Sequence, residues 1–473
     1  MSKVSKLVLF AAGGLAGLVV VVAVTAVLLV RGNAKSRVEA SASEALEMDV
    51  TVNGRVAIDF LPGLHVALAD VHARKHGVDV ASAGEIDLGI AILPLLHKEI
   101  RIKNIALKAL RIAVERDRDG KLNVARETAA ARALPTLTVA KAFVSDGTLL
   151  YVNKQSGRRF EAADCNLDVS QVQRSAGESA GPLQNLSFAA QLACGQIRTK
   201  DFTASDVKLS VDGRNGVFVF DPVTMRLFGG YGSGSIQADL SVPVPVYHVR
   251  YSLAKLRIED YFKTLSPKHV GEGSMDFSAN LSLRGKTADA LTRSAEGEAS
   301  LHGDDLTLAI GDLDKKLSRY EKSQSFNLVD VGALFFVGPL GVGITKGYTF
   351  ARAFGGTGGS TTIRTLVSKW QVEHGIAHAM DVAMATQENR VALKGGLDFV
   401  TGRFDDVTVA VIDGKGCARV QQNIHGPFRQ PEADEAKVLS ALTGPTRKLV
   451  EQAKELFGGH CEVFYAGSVA TPK

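Results

Sequence analysis

The sequence holds one tryptophan among 473 residues, so no aromatic platform for stacking bases is evident. An excess of either charge is missing too: 55 basic against 50 acidic residues leave +5, spread along the chain. That balance leaves no nucleic-acid footprint. Catalytic signatures are absent: there is no HExxH, no GxSxG elbow and no Rossmann fingerprint. The glycines of FGGTGGSTT (354–362) lack the lysine of a phosphate loop and read as a flexible linker. Gly230-Tyr231-Gly232-Ser233-Gly234 leads into a strand, not into the helix that a cofactor turn needs. The reading is a non-enzyme without cofactor, catalytic residue or resident metal.

What the chain does have is alternation. In VTVNGRVAIDF, Val50, Val52, Val56, Ile58 and Phe60 share one parity, while Thr51, Asn53, Arg55 and Asp59 share the other. Pro62-Gly63 breaks the run, and Leu64, Val66 and Leu68 resume it. This is the pattern of half-buried strands joined by a turn. Further strands are expected at 85–92, 99–114, 137–143, 148–152, 159–172, 186–194, 202–211, 216–220, 224–228, 233–242, 271–284, 297–310, 366–372, 375–385, 390–399, 404–412, 417–424 and 461–469. Within 99–114 the apolar parity changes after Ile102 and again after Leu107, and each change predicts a bulge. Asp117-Arg118-Asp119-Gly120 reads as a hairpin turn; as a calcium loop it lacks the bidentate glutamate. Helical patterns are short: 33–48, 125–134, 255–265, 287–294 and 432–457.

The uncharged run from Leu7 to Val30 is long enough to cross a bilayer core of about 30 Å as a helix. A cleaved signal peptide has an apolar core of only about 7–15 residues, so an uncleaved anchor is the preferred reading. Flanking charge alone favours a cytoplasmic C-terminal portion, but long domains cross regardless of it. The cysteines decide. Cys165 shares parity with Leu167 and Val169, and Cys194 with Leu186, Phe188 and Leu192, so both point to the apolar face of neighbouring strands. Cys417 and Cys461 each open an expected strand. Four buried thiols are one reading; the bridges Cys165–Cys194 and Cys417–Cys461 are the preferred one, and they require an oxidising compartment such as the bacterial periplasm. His374 and His378 stand four apart in a strand context, too far for one metal, and His72 and His76 read as solvated loop residues. The segment 328–345 is apolar but broken by Gly and Pro: an interfacial or end-capping helical hairpin, or a buried core segment.

An apolar span, a short helix and MDVTVNGRVAIDFLPGLHVALADV, followed by ERDRDGKLN, resemble the start of the AsmA family of bacterial envelope proteins. HGIAHAMDVAMATQENRVALKGGLDFVTGRFDDVTVAVID, GCARVQQNIHGPFRQPE and CEVFYAGSV are similar to AsmA-like C-terminal regions. The resemblance implies an inner-membrane anchored periplasmic protein of outer-membrane biogenesis, linked to outer-membrane protein assembly, lipopolysaccharide levels and phospholipid movement. It carries no catalytic residues.

The expected fold is mainly β: an N-terminal transmembrane helix, then a long, curved, mostly antiparallel sheet forming an apolar groove, with short capping helices. The expected parts are an anchor (1–31), a chorein-like N-terminal region (32–125), a central β region (126–323), an apolar helical insert and linker (324–362) and a C-terminal β region (363–473). Val52, Val56, Ile58, Leu64, Val66, Ile86, Leu88 and Ile90 are the expected groove lining near the membrane; Thr51, Arg55 and Asp59 point away. The expected partners are phospholipid in the groove and the inner membrane. The alternative is an assembly factor that binds outer-membrane proteins, for example by strand addition at an open edge.

Overall fold

The computed structural model describes residues 34–59, 64–91, 101–124, 138–174, 186–264, 271–309, 311–315, 317, 335, 359–435, 437–438 and 461–472. They include twenty-three strands, mainly in antiparallel pairs, and three helices whose bounds are given below. The expected anchor at 7–30, the helix at 125–134, the segment 328–345 apart from Phe335, most of the linker 354–362, and 439–457 of the expected C-terminal helix lie outside the described residues. Among the described residues no helix is long and apolar enough to cross a membrane. The chain divides into two compact units, residues 1–226 with 234–245, and residues 227–233 with 246–473.

The first unit opens with α1 (Ala34–Leu46), followed by β1 (Asp49–Val52) and β2 (Val56–Asp59). One strand was expected over 50–60, but it breaks at Asn53-Gly54. There the backbone runs so close to Ala69 that a Cβ on Gly54 would fall 2.7 Å from its carbonyl oxygen. Both strands pair with β3 (Leu64–Lys75), which turns at His76-Gly77 into β4 (Val78–Ile90). β4 starts seven residues before the expected 85. Its first half, VDVASAG, is rich in small residues and hides its alternation. His72 therefore lies within a strand, not a loop; only His76 sits on the turn.

β5 (Arg101–Lys108) and β6 (Arg111–Arg116) carry the two expected irregularities. Lys103 is skipped, since Gly89 faces Asn104 and Ile90 faces Ile102, and Ala109 adopts φ 51° between the two strands. The turn after β6 closes as expected, with the Lys121 amide on the Asp117 carboxylate at 2.8 Å. Both strands pair with β4 and run parallel to β7 (Thr138–Asn153). β7 joins two expected strands through a register shift at Asp146, whose φ is 54°. β8 (Arg158–Arg174), β9 (Leu186–Thr199) and β10 (Thr203–Arg214) follow as antiparallel neighbours. β11 (Val217–Leu227) and β12 (Gly230–Asp239) complete the run.

The second unit contains β13 (Val246–Arg257), α2 (Ile258–Phe262), β14 (Gly271–Glu272), β15 (Ser274–Arg284), α3 (Ala288–Arg293) and β16 (Glu296–Leu308). After them come β17 (Thr361–Glu373), β18 (Ile376–Ala385), β19 (Arg390–Asp398), β20 (Arg403–Ile412) and β21 (Ala418–His425). The antiparallel order is β13–β15–β16–β17–β18–β19–β20–β21. Its core gathers Leu253, Leu256, Tyr261, Phe262, Trp370, Val382 and Val409 on one face. Residues 432–438, expected to begin a helix, instead form β22 (Glu432–Ala433) and β23 (Lys437–Val438), which pair with β21. The last expected strand, 461–469, is irregular, with a single bridge between Cys417 and Val463.

Candidate functional site

Cross-strand partners share a face, so the register shows which apolar residues line up. In the first unit one row runs Val56, Leu68, Ile86, Leu107, Val144, Leu167, Leu192, Leu209. A second runs Ile58, Val66, Leu88, Ile105, Ala142, Val169, Ala190, Val211. On β8 to β10 the other face carries Asn166, Asp168, Gln191 and Lys208, all exposed.

Burial changes along these rows. Leu68 and Ile86 are 1% exposed and Leu107 2%. From β7 onward Val144, Leu167, Leu192 and Leu209 are only half-buried, as are Tyr151, Phe160, Phe188 and Ile197 on the same face. All eight expected lining residues share the buried face of the first strands. Val52, Leu64, Val66, Ile86, Leu88 and Ile90 are buried there, with Val56 and Ile58 half-buried against them and Val38, Ala42 and Leu46 of α1 in the same cluster. Arg55 and Asp59 are exposed and Thr51 half-buried, on the opposite parity. These lining residues pack against one another. The half-open stretch belongs to β7–β10, which sequence reading did not single out. Its alternation was visible at 159–172 and 186–194, but nothing in a period of two says what packs on a face.

Cys165 and Cys194 face each other across β8 and β9 on this apolar side and are bonded, with Cα atoms 4.0 Å apart. Cys417 and Cys461 are bonded too, with Cα atoms 6.0 Å apart. Two disulfides suit an oxidising compartment.

The charged groups are mostly paired at the surface. His72 lies 3.1 Å from Asp70 and 3.4 Å from Asp79, and His374, on the turn after β17, lies 3.8 Å from Glu296. Among the described residues no three His, Cys, Asp or Glu side chains are grouped to hold a metal ion. A partly buried polar constellation sits in the second unit, where the C-terminal segment meets β18 and β19. Tyr465 Oη donates to Asp381 at 2.5 Å and accepts from the Val469 amide at 3.0 Å, while the Ser468 amide donates to Asp381 at 3.1 Å. Arg390, 7% exposed, donates to the carbonyls of Val469 and Asp413, each at 2.8 Å, and lies 5.6 Å from the Tyr465 ring centre. Burial alone would raise the Asp381 carboxyl, but hydrogen bonds from Ser468 and Tyr465 outweigh it and hold the group below the usual carboxylate range. Burial, together with the Asp381 carboxylate, pushes the Tyr465 phenol up to about 12.

No curated protein matches the chain. The model of the AsmA family does, over residues 1–181 and 183–318; the C-terminal hairpins lie beyond that match. The match takes in α1, the packed strands and the half-open apolar face, and covers well over half of the sequence: the chain belongs to the AsmA family.

Proposed function

We propose that the half-open apolar face of β7–β10 holds phospholipid acyl chains, and that the protein binds or transfers phospholipid between the bacterial membranes. In this reading residues 7–30 anchor it in the inner membrane and the folded part lies in the periplasm, where its disulfides persist. The carrying observation is the row Val144, Leu167, Leu192, Leu209, apolar in register over four strands and only half-buried. Apolar surface left in water costs about 25 cal/mol per Å², so such a face is stabilised by an apolar ligand. The packed residues around Leu88 close one end of the same face. Lipid contact therefore begins beyond β6, with Leu64 and Ile90 acting as support.

A photo-crosslinking residue placed at Leu167 or Leu192 in the membrane-anchored chain should capture phospholipid, identified by mass spectrometry. One at Gln191, on the opposite face, should not. Crosslinks from Leu192 to outer-membrane proteins and none to lipid would replace lipid binding with the assembly-factor role.

A further inference from the structure

The alanine-lined back face of the second unit is covered by the chain's own C-terminal segment, residues 461–472. Val367, Ala383, Ala392 and Ala410 pair in register across β17–β20, on the face opposite Val382, Val391 and Val409. Tyr465 and Val469 pack on that alanine row. They are also the only buried side chains within 461–472. The segment forms no strand ladder. It is held by the Phe464 and Tyr465 amides on the Gly416 carbonyl, at 2.9 and 3.0 Å, and by Asp381 and Arg390. Each of these polar anchors regains water if the segment leaves. The other face of β17–β20 is packed in its own core. The covalent tie is Cys417–Cys461, and residue 461 is exposed.

We infer that residues 461–472 are a releasable strap and that Cys417–Cys461 is its redox clasp. A dithiol reductant attacks the sulfur of Cys461, the more exposed residue of the bridge, and expels the Cys417 thiolate, which takes up a proton. The reductant's second thiol then displaces Cys461 from the mixed disulfide. The products are two protein thiols and the oxidised, disulfide form of the reductant. With the clasp open, the strap exchanges between docked and free positions, and the alanine row on β18–β20 is uncovered in the free one.

The test is hydrogen exchange on the full chain in detergent, with Cys165→Ser and Cys194→Ser so that reductant acts on one bridge. Adding dithiothreitol should speed exchange of the Phe464, Tyr465 and Val469 amides at least tenfold. Amides of Leu366 and Val382 should stay protected. Cys461→Ser in the otherwise native chain should reproduce the reduced pattern without reductant, which keeps the test valid if the double variant folds poorly. Unchanged protection of the strap would overturn the inference, because the polar anchors would then suffice. Loss of protection throughout β17–β20 would overturn it as well, because the bridge would then hold the sheet and not the strap.

Discussion

The first and second halves of the apolar face in the N-terminal unit are built from the same kind of strand, yet they end in different states. In β3–β5 the alternating residues Leu68, Ile86 and Leu107 are sealed, with α1 contributing Val38, Ala42 and Leu46 to their cluster. In β7–β10 the partners in the same row, Val144, Leu167, Leu192 and Leu209, keep part of their surface in water. The strand pattern does not set the difference. What lies on the face does. One face is therefore sealed at one end and half-open at the other.

The sharpest way to break that comparison is to put a charge in each half. Leu88→Asp places a carboxylate in a packed cluster with no counter-charge and should cost about 3–5 kcal/mol, the scale of an uncompensated buried charge. Leu192→Asp reaches water from its half-buried site and should cost only about 1 kcal/mol. Hydrogen exchange of the β3–β5 amides should collapse in the first variant and barely change in the second. The second variant should nevertheless lose bound lipid. Equal collapse in both would mean that β7–β10 is core.

A gentler comparison truncates instead of charging. Leu88→Ala leaves a cavity among buried neighbours and should cost about 2–5 kcal/mol. Leu192→Ala removes a side chain that is already partly hydrated and should cost less than about 1.5 kcal/mol. Urea titrations followed by exchange within the unit would give both numbers. A cost at Leu192 matching that at Leu88 would remove the distinction between the two halves.

Much of this was legible before the structure. Alternation in 64–71, 159–172 and 186–194 showed the strands, their faces and the inward aim of Cys165 and Cys194. The parity change after Ile102 located a bulge; the one after Leu107 marked a break in the strand at Ala109, across which the register with β4 and β7 continues unshifted. What failed did so for local reasons. Asn53-Gly54 interrupts a run whose apolar parity continues, because close approach to Ala69 is invisible in a hydrophobic pattern. VDVASAG pairs along β3 although its small residues alternate weakly. Residues 432–438 follow a helical pattern but pair with the edge strand β21, whose open hydrogen bonds outweigh local preference. The site itself was legible as a face but not as an opening. Val52 and Leu88 alternate as well as Leu167 and Leu192, and only packing separates them.

The smallest effect we expect comes from the third kind of covered face, the one closed by a strap. The Asp381 carboxyl is held below the usual range because Ser468 and Tyr465 of the strap donate to its charged form. A carboxyl whose folded pKa is depressed contributes stability above its unfolded pKa, about 3.9, and loses that contribution as pH falls through the folded value. Between pH 6 and pH 3, therefore, the Ser468 and Val469 amides should lose protection, after correction for intrinsic exchange rates. The Leu88 amide should not, since apolar packing alone carries no proton. Asp381→Asn should remove the pH dependence of the strap and leave its remaining contacts. A face closed by packing alone and a face whose cover also leans on one carboxylate then differ in a measurable way: acid loosens the second and spares the first. If Leu88 loosened in step with Ser468, acid would be acting on the whole fold, and the strap would not be a separate element.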